Sequence, residues 1–233
     1  MTLEKDLRTE CRQRILSVHQ KLRKIYGEPQ WRGPLPPIDE LVSTFLSQNT
    51  NDQNRDKAFG ALKQRYHSWE AVRDAPTPEL VEVIRSAGLA NQKAPRIQNA
   101  LRVISQHQGE ISLDFLRDMP VEQARNWLKN LKGVGPKTAA IVLLFSMGIP
   151  AFPVDTHIYR VTGRIGARPL DINVEKTHEY LEEIVPEDAY YALHLNLIRL
   201  GRETCQARKW YCWRCPIESL CLFDKKLLQK SDK

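Results

Sequence analysis

Long apolar runs are missing from this 233-residue sequence. The longest, Ala139 to Phe145, is seven residues, against the roughly 20 that a membrane-spanning helix requires. The opening stretch MTLEKDLRTECRQR is charged throughout and carries no apolar segment of the kind that directs secretion. No segment alternates apolar and polar residues with a period of two, which argues against sheet, and no internal repeat occurs at fixed spacing. Cysteine is scarce, and four of the five lie between positions 205 and 221. A hydrophobic share of 42% with 27% charged residues excludes a disordered chain and fits an ordinary globular protein. The length suits one large or two small domains, in a cytoplasmic protein with no membrane contact.

The net charge of +7 is unevenly spread. Residues 85–137 carry nine basic and four acidic side chains, and residues 199–233 carry the same numbers; residues 138–198 between them are net −4. Two separated basic stretches are the footprint expected of a chain that faces a phosphate backbone. For either stretch alone, a solvated surface explains the charge equally well.

Helical periodicity dominates. Cys11, Ile15, Val18, Leu22 and Ile25 step by four and three along an opening helix that Gly27 and Pro29 end; Cys11 belongs to its buried face. After the loop WRGPLPP, Ile38, Leu41, Val42 and Phe45 form a second stripe. Asp52 or Asn54 is positioned to cap a helix through Tyr66, and Ser68 a short one after it. Pro78 suits the first turn of another, ending at Ala87-Gly88. Asn91 starts a longer helix with Ile97, Leu101 and Ile104, and Pro120 one with Ala124, Trp127 and Leu128. Further helices are expected over 136–147, 156–165, 173–185 and 187–201. The 14 prolines fall mostly between these segments. The fold class is all-α.

Cys205, Cys212, Cys215 and Cys221 are spaced C-x6-C-x2-C-x5-C. In a cytoplasmic chain thiols stay reduced, so metal ligation is favoured over disulfides. Zinc and an iron–sulfur cluster both remain open. Zinc sites pair two short Cys-x2-4-Cys knuckles, whereas only one gap here is short, which tilts the choice towards [4Fe–4S]. Arg208, Lys209 and Arg214 lie among these cysteines, where they can offset thiolate charge, contact phosphate, or both.

Leu131-Lys132-Gly133-Val134-Gly135-Pro136-Lys137 follows one helix and opens the next. Two glycines one residue apart allow a tight turn with its N–H groups facing outwards, and Pro136 suits the first turn of the following helix. Such a turn at a helix N-terminus binds anions, so the segment is expected to be a helix-hairpin-helix element gripping DNA backbone, with Lys132 adding charge. Lys137 is either one more phosphate-binding lysine or a nucleophile. A partly desolvated lysine near other cations has its charged form disfavoured and its amine available for attack. Eighteen residues on, Asp155 in VDTHIYR fits a helix N-cap, or a carboxylate that stabilises positive charge developing on a sugar. His157 beside it is expected to be structural.

LKGVGPKTA, VDTHIYRV and the cysteine tail, in this order, resemble the endonuclease III family of the helix-hairpin-helix DNA glycosylase superfamily, over nearly the whole chain. The resemblance implies two helical domains flanking a DNA cleft: a six-helix domain near 30–149, and a second formed by 1–29 and 150–233 that holds a [4Fe–4S] cluster. It implies a bifunctional glycosylase and apurinic/apyrimidinic lyase acting in base excision repair on oxidised or damaged pyrimidines in duplex DNA, and on abasic sites. By position Lys137 matches the Schiff-base nucleophile, Asp155 the catalytic carboxylate, and Gly133, Val134 and Gly135 the phosphate-gripping hairpin. Cys205, Cys212, Cys215 and Cys221 match the cluster ligands. Related adenine-mismatch glycosylases lack a lysine at the position of Lys137. Ser86-Ala87-Gly88-Leu89 resembles the family's wedge loop, with Leu89 placed to intercalate, and Leu46–Asp52 its void-filling loop. There Asn49 stands where the family's best-known pattern has glutamine, and Gln48 precedes it; Lys132 replaces a common proline. Arg208 and Lys209 complete the expected DNA contacts. The expected protein is a nucleoid-associated monomer.

Two rivals are a glycosylase specialised for mismatched thymine or uracil, and a non-catalytic DNA-binding protein. The second gives no reason for a lysine and a carboxylate at this spacing.

Overall fold

The computed structural model describes residues 2–30 and 33–229, with side chains from Lys5 onwards. Trp31 and Arg32, in the loop expected between the first two helices, lie outside them. Among the described residues the chain forms eleven α-helices linked by turns and short 3-10 segments, and the single β pairing is an isolated bridge between Cys205 and Trp210. The fold is all-α. No helix of the described residues is long and apolar enough to cross a membrane.

The chain divides into two compact units, one continuous (Gly33–Ile149) and one composite (Met1–Arg32 with Pro150–Lys233). The composite unit contains α1 (Thr2–Tyr26), α9 (Thr156–Ile165), α10 (Val174–Ile184) and α11 (Tyr190–Glu203). α1 packs on α10 and α11 through Cys11, Ile15, Val18 and Leu22, all buried. Ile25, expected on the same stripe, is half exposed and faces an open groove with Pro216 and Arg214. The basic residues of α1 bind within this unit: Arg12 donates to the Ile184 carbonyl (3.0 Å), Arg14 to that of Gly166 (2.6 Å), and Lys21 to Ser219 Oγ (3.0 Å).

The continuous unit contains α2 (Pro37–Ser47), α3 (Asp52–Arg65), α4 (Trp69–Asp74), α5 (Thr77–Val83), α6 (Ala90–Gln108), α7 (Val121–Lys129) and α8 (Pro136–Ile141). Asn51, not Asp52 or Asn54, caps α3: its Oδ1 accepts from Asn54 N at 2.8 Å, and Asp52 is already helical. Ser68 caps α4 as expected. Pro95 falls inside α6, so one N–H of the ladder is missing there. α8 widens into a π-helical turn over Val142–Ser146, which Arg117 closes by donating to the Met147 carbonyl at 2.8 Å.

Side chains from α6 finish the ends of its neighbours. Gln98 is fully buried on the apolar face that includes Ile97 and Leu101. Its Nε2 donates to the carbonyls of Val72 (3.1 Å), Arg73 (3.3 Å) and Ala75 (2.7 Å), and its Oε1 accepts from Thr77 Oγ1 (2.7 Å). One amide thus satisfies carbonyls that the C-terminal end of α4 leaves unpaired and binds the Thr77 hydroxyl at the start of α5. Gln98→Leu should cost about 1–3 kcal/mol per stranded buried group, read as a lowered urea midpoint; an unchanged midpoint would refute this role.

Candidate functional site

The segment between α7 and α8 is a tight turn. Leu131 N donates to the Leu128 carbonyl (3.1 Å) and Val134 N to that of Leu131 (3.0 Å). Gly133 has φ +91°, a left-handed conformation that a side chain resists, and a Cβ there would meet Arg96 Cδ at 3.0 Å and Phe45 Cε1 at 3.2 Å. Gly135 has φ −98° in extended backbone, with open space where a Cβ would stand. Conformation therefore demands only the first glycine; the second leaves the approach to the helix start unobstructed. Gly135 is the N-cap of α8, followed by Pro136, Lys137 and Thr138. The amides of a first helical turn have no carbonyl before them, and they carry the positive end of the dipole. Val134 has a different part: its side chain is buried and its amide is used inside the turn.

Lys132 and Lys137 are both exposed, with no ion-pair partner among the described residues. The partial desolvation expected of Lys137 is thus not supplied by the folded chain itself. The rest of the basic stretch 85–137 is largely committed elsewhere. Arg85 pairs with Glu82, Lys93 is buried, Arg102 donates to the Arg73 carbonyl, Arg117 to that of Met147, and Arg125 pairs with Glu122.

Two further loops of the same unit join the hairpin. Gln48, the C-cap of α2, donates its Nε2 to the Gly133 carbonyl at 3.1 Å. Asn49 next to it is exposed in a left-handed conformation (φ +52°). In the second loop Gly88 (φ +66°) precedes Leu89, also left-handed at φ +49° and 48% exposed. A leucine held in that region stores about 1–3 kcal/mol of strain, and its apolar side chain projects into solvent. Lys93 lies beneath both loops; a lysine four residues before Ile97, on an apolar helix face, was the signal in the sequence that could have singled it out.

In the composite unit, Asp155 caps α9, with Oδ1 accepting from Ile158 N at 2.8 Å. Its second oxygen makes no hydrogen bond among the described residues. His157 packs against Gly201, and its Nδ1 meets Arg160 at 3.0 Å. Lys137 and Asp155 belong to different units.

Cys205, Cys212, Cys215 and Cys221 line one cavity, walled by Ile165, Leu200, Ile217 and Phe223. Among the described residues no three His, Cys, Asp or Glu side chains form a ready-made ion site. Burial, with smaller contributions from the other three cysteines, pushes the Cys215 thiol up to about 11. Cys221 is pushed up for the same reason. Arg164, which the sequence analysis missed, donates to Cys205 Sγ (3.3 Å) and to the carbonyls of Gln206 (2.7 Å) and Ala207 (3.2 Å). Its guanidinium stacks against Trp210 and Phe223. Arg160, one turn earlier, donates to the carbonyls of Cys205 and Gly201. Arg214 is occupied by the Glu203 carbonyl (2.9 Å), whereas Arg208 and Lys209 are exposed.

Residues 42–187 match the family described as HhH-GPD superfamily base excision DNA repair protein, and the chain belongs to this superfamily. Within it, the chain is similar to endonuclease III. It is 35% identical over 192 residues to endonuclease III of Escherichia coli (strain K12), covering 82% of this chain and 86% of that one. It is 33% identical over 187 residues to endonuclease III of Thermotoga maritima, covering 80% and 83%. A solved structure of a non-covalent endonuclease III–DNA complex superimposes with a TM-score of 0.77 at 29% identity, over 91% of this chain and 95% of that one.

The two glycines of the hairpin should respond differently to the same change. Gly133→Ala should lose about 1–3 kcal/mol of stability to backbone strain and crowding, whereas Gly135→Ala should stay within about 0.5 kcal/mol of wild type. Equal urea midpoints for the two variants would contradict the difference in φ.

Proposed function

We propose that this chain is a bifunctional DNA glycosylase and apurinic/apyrimidinic lyase that removes oxidised or otherwise damaged pyrimidines from duplex DNA and acts as a monomer. The observation that carries this reading is Lys137: an exposed amine in the first turn of α8, beside amides with no helical partner, on a hairpin shaped by Gly133. An anionic backbone is the natural ligand of those amides, and binding it brings the lysine to the sugar. The similarity to endonuclease III, one relative of which is solved with DNA, supports the same partner here.

In this mechanism the hairpin amides and Lys132 hold the phosphate backbone. Leu89, apolar and projecting, enters the stack as the damaged nucleotide is extruded, a step that costs a few kcal/mol. Asn49 rather than Gln48 fills the space left behind, because the Gln48 amide is already bound to the hairpin carbonyl. Lys137 Nζ attacks C1′, the C1′–N bond breaks, and the base departs with its electron pair. The free oxygen of Asp155 stabilises the positive charge that builds on the sugar, as carboxylates do in glycoside cleavage. Loss of the amine protons and opening of the ring give a Schiff base; loss of a C2′ proton then breaks the C3′–O bond and cuts the strand. The exposed Lys137 obtains its desolvation from the bound DNA, which displaces water around it.

The four cysteines would hold a [4Fe–4S] cluster. The donor set fits: four thiols face one apolar-walled cavity, and N–H groups of Arg164 and Phe223 point at two of the sulfurs (3.3 and 3.5 Å). Thiols that burial keeps protonated lose their protons when a metal ligates them. When bound, the cluster would cross-link residues 205–221 and provide a one-electron centre.

Borohydride reduction on a duplex containing an oxidised pyrimidine should trap wild-type protein covalently, and Lys137→Ala should give no adduct. An adduct that persists in Lys137→Ala sinks the assignment of the nucleophile. Asp155→Asn keeps a side chain that caps as well as aspartate, so stability should hold while turnover falls by about 10²–10⁴-fold. Full turnover in Asp155→Asn refutes the carboxylate's part. The purified protein should be brown, with broad visible absorption and about four irons per chain, and should lose both in Cys212→Ser; a colourless, zinc-loaded protein overturns the cluster.

A further inference from the structure

Lys93 is one of the largest fully buried side chains in the protein, at 1% exposure, and has no carboxylate partner among the described residues. A buried ammonium is costly unless strong acceptors replace its water. The acceptors here are two backbone carbonyls: Leu46 at 2.8 Å and Ala87 at 2.7 Å. Leu46 lies in the last turn of α2 and leads into Gln48 and Asn49; Ala87 ends the 3-10 turn that leads into Gly88 and Leu89. The two loops are some forty residues apart in sequence, and each contains an exposed residue held at positive φ. Burial pushes the Lys93 pKa down, with no other cause of comparable size.

From Leu46 the connection continues. Gln48 Nε2 binds the Gly133 carbonyl, so the hairpin joins the same set of constraints. Ser86 Oγ, from the other side, donates to the Asn54 carbonyl at 3.4 Å, which ties the second loop to α3. All these groups belong to the continuous unit. An apolar residue at 93 would fill the volume but leave two carbonyls without donors. The ammonium is a single group that can satisfy both from one point, because its three N–H bonds radiate from one atom.

We infer that Lys93 is a positioning residue that holds the Leu46–Asn49 loop and the Ala87–Leu89 loop as one preformed face for extruding a base from duplex DNA. This rests on the function proposed above. It assigns Lys93 no contact with DNA. What it fixes is the spacing between the residue that enters the stack and the residue that fills the vacated space. Extrusion needs both at once, since a wedge without a filler leaves an unpaired cavity in the duplex. Cleavage at a site that already lacks its base has little stacking to break and depends on this spacing far less.

The test compares Lys93→Met, which keeps the length and removes the charge, with wild type in two assays and one measurement on free protein. Single-turnover excision of a paired damaged pyrimidine should fall at least about tenfold, a loss of the size that misplaced groups produce. Borohydride trapping on a preformed abasic duplex should stay within about twofold of wild type. Hydrogen exchange should quicken together at residues 47–50 and 86–89. Excision within twofold of wild type, equal losses on both substrates, or loosening of one loop alone would each overturn the inference. If Lys93→Met does not fold, Lys93→Gln is read by the same criteria, and hydrogen exchange alone decides whether the loops are coupled. A wild-type protein that excises no pyrimidine lesion counts against the proposed function, whereas the exchange result still decides the role of Lys93.

Discussion

Every helix ends with backbone groups that have no partner in the helix, and in an all-α protein that constraint recurs at each turn. Here it is met by side chains that reach from one element to the ragged end of another. Gln98 closes the end of α4, Lys93 the end of α2, and Arg117 the end of the widened α8. Arg160 reaches the Gly201 carbonyl on α11, and Asp155 supplies the cap of α9. Among the described residues the start of α8 has no side-chain cap, and neither do those of α2, α5, α6, α7 and α11; what sets it apart is a glycine at the cap with open space beside it and the exposed Lys137 in the first turn. That start, with Lys132 and Lys137 beside it, is the place proposed to hold the phosphate backbone.

The same use of side chains limits how much of the basic surface is free to meet an anion. Both basic stretches exist, but most of their arginines, although largely exposed, are engaged by carbonyls or carboxylates of their own unit. Lys132 and Lys137 are exposed without such a partner among the described residues in one unit, and so are Arg208 and Lys209 in the other. Placement on a turn, rather than density along the chain, separates a lysine that meets a ligand from one that completes the fold. Lys93 and Lys137, identical in chemistry, are the buried and the exposed case.

Much of the fold was legible because helix signals are local. The stripe of α1, the Ser68 cap and the Pro136 start are read from spacing and residue type, and the chain follows them. The Asn51 cap was misplaced by one or three residues because Asp52 and Asn54 offer equally good capping side chains nearby; only the bond from Asn54 N settles which one acts. Ile25 fits its stripe, but its exposure depends on what packs opposite, which no periodicity encodes. Sequence singles out the lysine, the carboxylate and the cysteines as candidates, because residue type and order alone suggest their chemistry. The site was not legible where a tertiary partner decides the role. That Gln48 is bound to Gly133, and that Arg164 stacks between two aromatic rings beside Cys205, follow from contacts between distant segments.

The composite unit is built from both ends of the chain, and this sets an order of events at the ribosome. α1 is synthesised before the other helices of its unit, and those that cover its apolar stripe, α10 and α11, emerge only after the whole of the continuous unit. At about 5–20 residues per second the delay is of the order of 10–30 s. During that interval the nascent chain displays an amphipathic helix with Ile15, Val18 and Leu22 uncovered, while Gly33–Ile149 has time to fold beside it. Chaperone demand during synthesis should therefore centre on the first 26 residues, although in the finished protein they lie in the unit that is completed last.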